Sequence, residues 1–164
     1  MAKASCVGLV LETHHEIVRV AHDDYVAARV LVQASTPKSS LLLDLRNTPI
    51  CYQGAQIRDI LVTAATAFAA VRAESTRARV CIHTGHWGTG AFGGERVLMA
   101  AAQMLSARSA GIDEIRYHSL DDDGVRAFEQ GNRIADGFAA GSSLDAVVSP
   151  LESRGFSWGT SDGN

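Results

Sequence analysis

Apolar positions run along this chain in short blocks at first and in helical stripes later. Residues 7–11 and 17–20 are short apolar runs, and 25–33, Tyr-Val-Ala-Ala-Arg-Val-Leu-Val-Gln, is rich in β-branched residues and predicts a strand. A Ser/Pro/Lys turn follows at 35–40. Leu41-Leu-Leu-Asp-Leu is then a continuous apolar run of the kind buried on both faces. Over 56–72 the pattern changes period: Ile57, Ile60, Leu61, Ala64, Ala65 and Phe68 fall on one helical stripe. A strand is predicted at 79–83 and a second Ala/Met/Leu helix at 97–109, ended by Gly111. A further strand is predicted at 115–120. Asp121 to Gly124 offers a cap for a helix through Val125, Phe128 and Ile134. Ser142 and Ser143 open a last short helix that Pro150 interrupts or ends, and the polar tail from Phe156 is expected to fray. Alternating strand and helix at this spacing predicts an α/β fold, a mainly parallel or mixed sheet with helices on its faces. The division expected is an α/β domain over 1–140, followed by a short helix and tail over 141–164.

Composition narrows the class. The 164 residues make 17.4 kDa, the size of one ordinary domain, and 46% hydrophobic with 20% charged residues excludes wholesale disorder. A net charge of -3 argues against a broad electrostatic grip on nucleic acid or anionic membrane, so no direct nucleic-acid binding is expected. No apolar run approaches the roughly 20 residues that span a bilayer, and Glu12 and His14 interrupt any signal-peptide core. Cys6, Cys51 and Cys81 lack CxxC spacing and read as reduced thiols, so the expected location is cytoplasmic.

One segment carries chemistry. Five glycines fall between Gly85 and Gly94, after a predicted strand and before a predicted helix. Glycine lets the backbone approach a ligand and turn its N–H groups inward, and the following helix brings its positive end to the same spot. Gly88-Thr-Gly-Ala-Phe-Gly93 has the letters of a dinucleotide fingerprint, but no acidic residue follows a strand about 20 positions on. The residues alone leave two readings, a phosphate loop or a tight connection that only lets the helix pack.

The wording of the loop, Thr84-Gly-His-Trp-Gly-Thr-Gly-Ala-Phe-Gly-Gly-Glu95, resembles the late signature of poly(ADP-ribose) glycohydrolases, T-G-N-W-G-C-G-A-F-G-G-D. Leu98 and Gln103 on the next helix continue the match, and fainter likeness extends over about residues 5 to 120. The resemblance implies a shortened macrodomain-like three-layer fold, a mixed sheet with helices on both faces, and an ADP-ribose-like diphosphate lying on the loop. The ligand-binding residues it implies are Gly85, His86, Trp87, Gly88, Thr89, Gly90, Ala91, Phe92, Gly93 and Gly94. Within them Gly88 to Gly94 would give backbone N–H groups to the diphosphate, Phe92 would pack beside the ligand and Trp87 would brace the loop from below. The sequence departs from the family in three ways. His86 replaces an Asn, Leu120 stands where an aromatic stacks on adenine, and the family's catalytic segment, a triple glycine followed by Gln-Glu-Glu and expected upstream of the part matched, is not among these residues. A partner chain or a second copy completing the site is therefore expected, with no cofactor and no metal.

Other polar clusters leave alternatives. Glu12-Thr-His-His-Glu16 is a polar hairpin tip or a site wall, and Glu12, Glu16 and His86 are the candidate acid–base residues, with His14 beside them. His83, His86 and His118 share the carboxyl end of the sheet if the strands fall as predicted, where open α/β folds bind ligands. Cys81 reads as core. Asp44 either caps a turn or faces the site, and Arg46, Arg58 and Arg79 are candidates to offset ligand charge. The alternative functions are an enzyme that reuses the fold on another phosphorylated or nucleoside substrate, and a non-catalytic structural or regulatory subunit.

Overall fold

A computed structural model of the chain describes residues 5–11, 28–30, 50–90 and 92–159, the first two segments by backbone only. The expected apolar strand at 41–45 and the runs around 17–20 and 35–40 lie outside the described residues, as do Glu12, His14, Glu16, Asp44, Arg46 and Ala91.

The elements are β1 (Ser5–Leu11), β2 (Ala28–Val30), α1 (Gly54–Glu74), β3 (Val80–Gly85), α2 (Arg96–Ser109), β4 (Glu114–His118), α3 (Asp122–Asp136) and α4 (Leu144–Glu152). The strands form one sheet in the order β2-β1-β3-β4, every pair parallel, with Cys6 opposite Cys81, Gly8 opposite His83 and Gly85 opposite His118. This is the α/β architecture the alternating pattern predicts. Val80, Cys81 and Ile82 of β3 are fully buried, as a strand flanked on both edges and covered on its faces requires.

Helix α1 runs two residues beyond the expected span at each end. The Gln56 carboxamide accepts the Gln53 N–H (2.9 Å), and the Glu152 carboxylate accepts the Gly54 N–H (2.7 Å), so the first turn is capped from two sides. Ile57, Leu61, Ala64 and Phe68 are buried as the stripe predicts. Ala67 and Val71 join them, while Ile60 and Ala65 sit half-buried at the edge. Ala67, Phe68 and Val71 pack on Val80, Ile82 and Ala107, which places α1 and α2 on the same face of β3. Helix α2 begins at Arg96 because Glu95 caps it, its carboxylate accepting the Leu98 N–H at 2.6 Å, and it ends at Gly111 in a left-handed conformation (φ +67).

Helix α3 starts where Asp121 accepts the Gly124 N–H (2.5 Å) and lies close against α2. A Cβ on Gly131 would meet Ala100 Cβ at 2.7 Å and the Val97 carbonyl oxygen at 2.7 Å, so glycine sets that crossing. Strand β4 stops at His118, two residues short of expectation, and Leu120 is fully exposed. Helix α4 neither breaks nor stops at Pro150. It continues to Glu152 because fully buried Leu151 anchors the last turn, and Val147, Val148 and Leu151 share a core cluster with Ile57, Leu61 and Leu98. Complete burial of one such leucine contributes about 1.5–3 kcal/mol.

The expected fraying does not begin at Phe156. Residues 156–159 return antiparallel along 50–52: the Tyr52 N–H donates to the Phe156 carbonyl (2.8 Å), the Trp158 N–H donates to the Ile50 carbonyl (2.8 Å), and Cys51 bridges Ser157. Trp158 stacks on Tyr52 with ring centroids 4.2 Å apart, and this buried apolar contact holds the segment. Among the described residues, no helix is long and apolar enough to cross a membrane.

Candidate functional site

The glycine loop leaves β3 at the carboxyl edge of the parallel sheet and enters the amino end of α2, the place where parallel α/β sheets offer a ligand crevice. Its backbone folds on itself. The Trp87 N–H donates to the Gly85 carbonyl (3.0 Å), the Gly93 N–H to the Gly90 carbonyl (2.8 Å) and the Gly94 N–H to the Gly88 carbonyl (2.8 Å). Gly88 and Gly93 take positive φ, +73 and +61, which only glycine adopts without strain. At Gly94 the constraint is space, since a Cβ there would lie 2.4 Å from the Gly88 oxygen.

These bonds revise which N–H groups a ligand could receive. Gly93 and Gly94, expected to donate outward, already donate within the loop. The N–H groups of Gly88, Thr89, Gly90 and Phe92 have no acceptor among the described residues. A short run of unsatisfied N–H groups beside a helix amino terminus is an anion-binding arrangement. The amino end of α2 is partly answered from inside by the Glu95 cap.

The loop is held from three sides. Below it, the fully buried Gln103 of α2 accepts a hydrogen bond from the Thr84 hydroxyl (2.5 Å) and donates to the Gly85 carbonyl (3.0 Å). On one flank the Gly159 N–H donates to the Gly93 carbonyl (2.7 Å), and the Glu95 N–H donates to the Tyr52 hydroxyl (3.2 Å). Burial pushes the Tyr52 phenol up to about 12, so it stays protonated. On the other flank His86 joins the loop to β4 and α3. The Tyr117 hydroxyl donates to His86 Nδ1 (3.0 Å), and with that assignment Nε2–H donates to the Gly124 carbonyl (3.1 Å). Gly124 has to be glycine, because a Cβ would sit 2.6 Å from His86 Nε2. Tyr117 in turn stacks on Phe128 at 4.4 Å. Burial first, then the Arg96 charge, holds the His86 pKa below its ordinary value, so the ring is neutral near pH 7. Both nitrogens being engaged within the chain, His86 positions the loop rather than reaching out to a ligand.

Trp87 and Phe92 are half-buried, and the Trp87 indole N–H, itself buried, has no hydrogen-bond partner among the described residues. His83 and His118 do not join His86. Their rings stack on each other across β3 and β4 with His83 Nδ1 2.8 Å from His118 Nε2, and burial followed by the His118 and Arg116 charges lowers the His83 pKa. Arg58 pairs with Asp145 of α4, and Arg79 pairs with Glu114 (3.0 Å) just before β3, at the end of that strand away from the loop. Neither stands at the loop. Among the described residues, no group of three or more His, Cys, Asp or Glu side chains is arranged to hold a metal ion.

Sequence reasoning missed the supporting residues Tyr52, Tyr117, Gly124 and Gly159. Each meets the loop from a distant part of the chain, so no local spacing marks it. It also passed over Arg96, the first residue of α2, whose guanidinium contacts both Asp121 carboxylate oxygens (3.1 and 3.3 Å).

A parallel α/β sheet whose carboxyl edge carries a glycine loop leading into a helix defines the class of the domain, an open α/β fold. The family model described as poly(ADP-ribose) glycohydrolase (PARG), macro domain fold, matches residues 45–127, just over half of the chain. The chain belongs to that family, and its fold is a shortened macro-domain α/β fold. Comparison with curated proteins and with solved structures gave no match.

Proposed function

We propose that the chain binds an ADP-ribose-like nucleotide, with its diphosphate on the loop between Gly88 and Phe92. Membership of the PARG family relates the chain to ADP-ribose processing at the level of the family. The observation that carries the narrower reading is the set of four loop N–H groups, at Gly88, Thr89, Gly90 and Phe92, without acceptors at the carboxyl edge of the sheet. A diphosphate supplies the acceptors that this backbone lacks, and its charge is favourable at the amino end of α2.

The carboxylates beside the loop favour binding over hydrolysis. A general acid on a ribosyl bond needs a raised pKa. Glu95 is committed to capping α2. The Gly124 N–H and the Arg96 guanidinium hold the Asp121 carboxyl below its ordinary value, so it is ionised and has no proton to give. Cleavage of the nucleotide then calls for an acid from outside this loop, in this chain or in a partner chain.

Calorimetric titration of the chain with ADP-ribose, with AMP and ribose 5-phosphate as controls, tests the reading. Saturable ADP-ribose binding that disappears in Gly90→Val is expected. If the wild-type chain takes up none of the three, or if Gly90→Val binds as well as wild type, the diphosphate loop is wrong.

A further inference from the structure

Resting on that reading, we infer that Arg96 is the cation that takes the ligand's diphosphate, and that Asp121 is its competitor, holding the guanidinium until the ligand arrives. Arg96 follows the Glu95 cap and opens α2, so its backbone lies at the end of the loop whose N–H groups lack acceptors among the described residues. Its guanidinium is only partly buried, with 40% of the side chain exposed, and contacts the Asp121 carboxylate through a single nitrogen. The rest of the planar fork is free of that contact, and a fork of this kind matches phosphate oxygens. Its charge also reaches the first limb of the loop, since it disfavours protonation of His86.

The chemistry of the partner supports the same assignment. Asp121 already has a task at the start of α3, where its Oδ1 accepts the Gly124 N–H at 2.5 Å. Asp121 does not need Arg96 to keep that cap. The ion pair is half-exposed on both sides, and exposed pairs of this kind are weak. A diphosphate on the loop carries more charge than one carboxylate and more acceptor oxygens. It therefore draws the guanidinium away from Asp121 at small cost. Arg108 pairs with Asp136 and Arg126 with Asp123, and those pairs involve no loop residue.

The two members of the pair then act on affinity with opposite signs, which a merely structural ion pair would not do. The test is ADP-ribose titration of wild type, Arg96→Gln, Arg96→Lys and Asp121→Asn at low and at moderate salt, with adenosine as a ligand that lacks phosphate. Thermal unfolding of each variant reads folding separately. Asp121→Asn keeps a good helix cap and removes the competing charge. Arg96→Gln is expected to weaken ADP-ribose binding roughly tenfold or more, the scale of hydrogen bonds to a charged group. Arg96→Lys is expected to fall between, and its remaining affinity to drop with salt. Asp121→Asn is expected to tighten binding about two- to fivefold, the scale of an exposed ion pair. Adenosine binding is expected to stay unchanged throughout.

Equal losses in Arg96→Gln and Asp121→Asn, or no change in either, would overturn the inference while leaving the loop reading intact. Failure of the wild-type chain to bind ADP-ribose would overturn both.

Discussion

A single methyl group at Gly94 tests the loop most directly. In Gly94→Ala the new Cβ would lie 2.4 Å from the Gly88 oxygen and 3.2 Å from Met99 Cε. The side-chain methyl can give way, but the carbonyl cannot move out beyond 3.0 Å without breaking the Gly94 N–H bond it accepts at 2.8 Å. Losing that bond costs about 0.5–1.5 kcal/mol and the overpacking about 1–3 kcal/mol. The smaller entropy of the unfolded alanine chain returns about 0.4–1 kcal/mol. The net loss is about 2 kcal/mol, roughly a 5 °C fall in Tm for a chain of this size. Moving Gly88 also redirects the N–H groups of Gly88 to Gly90, so ADP-ribose affinity should fall at least tenfold in protein that remains folded. Gly111→Ala is the control. Its φ of +67 carries backbone strain of about 1–2 kcal/mol, yet nothing lies within 4 Å of its Cβ and it sits at the other end of α2. Scanning calorimetry and ligand titration on both variants decide the matter. Gly94→Ala with wild-type Tm and affinity, or Gly111→Ala losing affinity equally, would refute the argument from loop geometry.

Other outcomes follow from the same contacts. Gly131→Ala drives a methyl into Val97 and Ala100, and chemical denaturation should show a loss of about 1–3 kcal/mol despite the better helix propensity of alanine. His83 and His86 both titrate below their unfolded value of 6.5. The unfolded chain therefore binds more protons in that range, and stability measured by urea titration should fall as pH drops below about 6.5. Replacing His86 by Phe should flatten that dependence in part. Leu120, fully exposed two residues after β4, should gain from an aromatic ring: Leu120→Phe is expected to raise affinity for ADP-ribose but not for ribose 5-phosphate, by roughly two- to tenfold, and titration with both ligands checks it.

What could be read in the sequence was local. The stripe from Ile57 to Phe68 makes α1 legible, and the glycine run between a strand and a helix marks the loop. The stripe could not show that Glu152 would cap α1, nor that Val71 and not Ala65 would be fully buried, since both depend on what packs alongside. The same limit explains His86. An imidazole replacing an amide in the loop invites a role toward the ligand. Its actual partners, Tyr117 and Gly124, lie 31 and 38 residues away, and the missing side chain at Gly124 that admits the ring carries no signal of its own. The tail misled for a related reason. Its polar end suggests fraying, but the stretch it pairs with, residues 50–52, precedes every described helix in the chain, and Trp158 finds its stacking partner only there.

The pairing of 50–52 with 156–159 has a consequence in time. Its strands are more than a hundred residues apart, and the Gly159 N–H that holds Gly93 belongs to the later one. Closing so long a loop is entropically costly and tends to come after local helices have formed. During synthesis the glycine loop would emerge well before its last support does. A ribosome-bound chain stopped short of Trp158 should therefore be largely helical and yet unable to retain nucleotide. Ligand capture would then report the final step of folding, the meeting of two distant stretches of chain, more faithfully than helix content does.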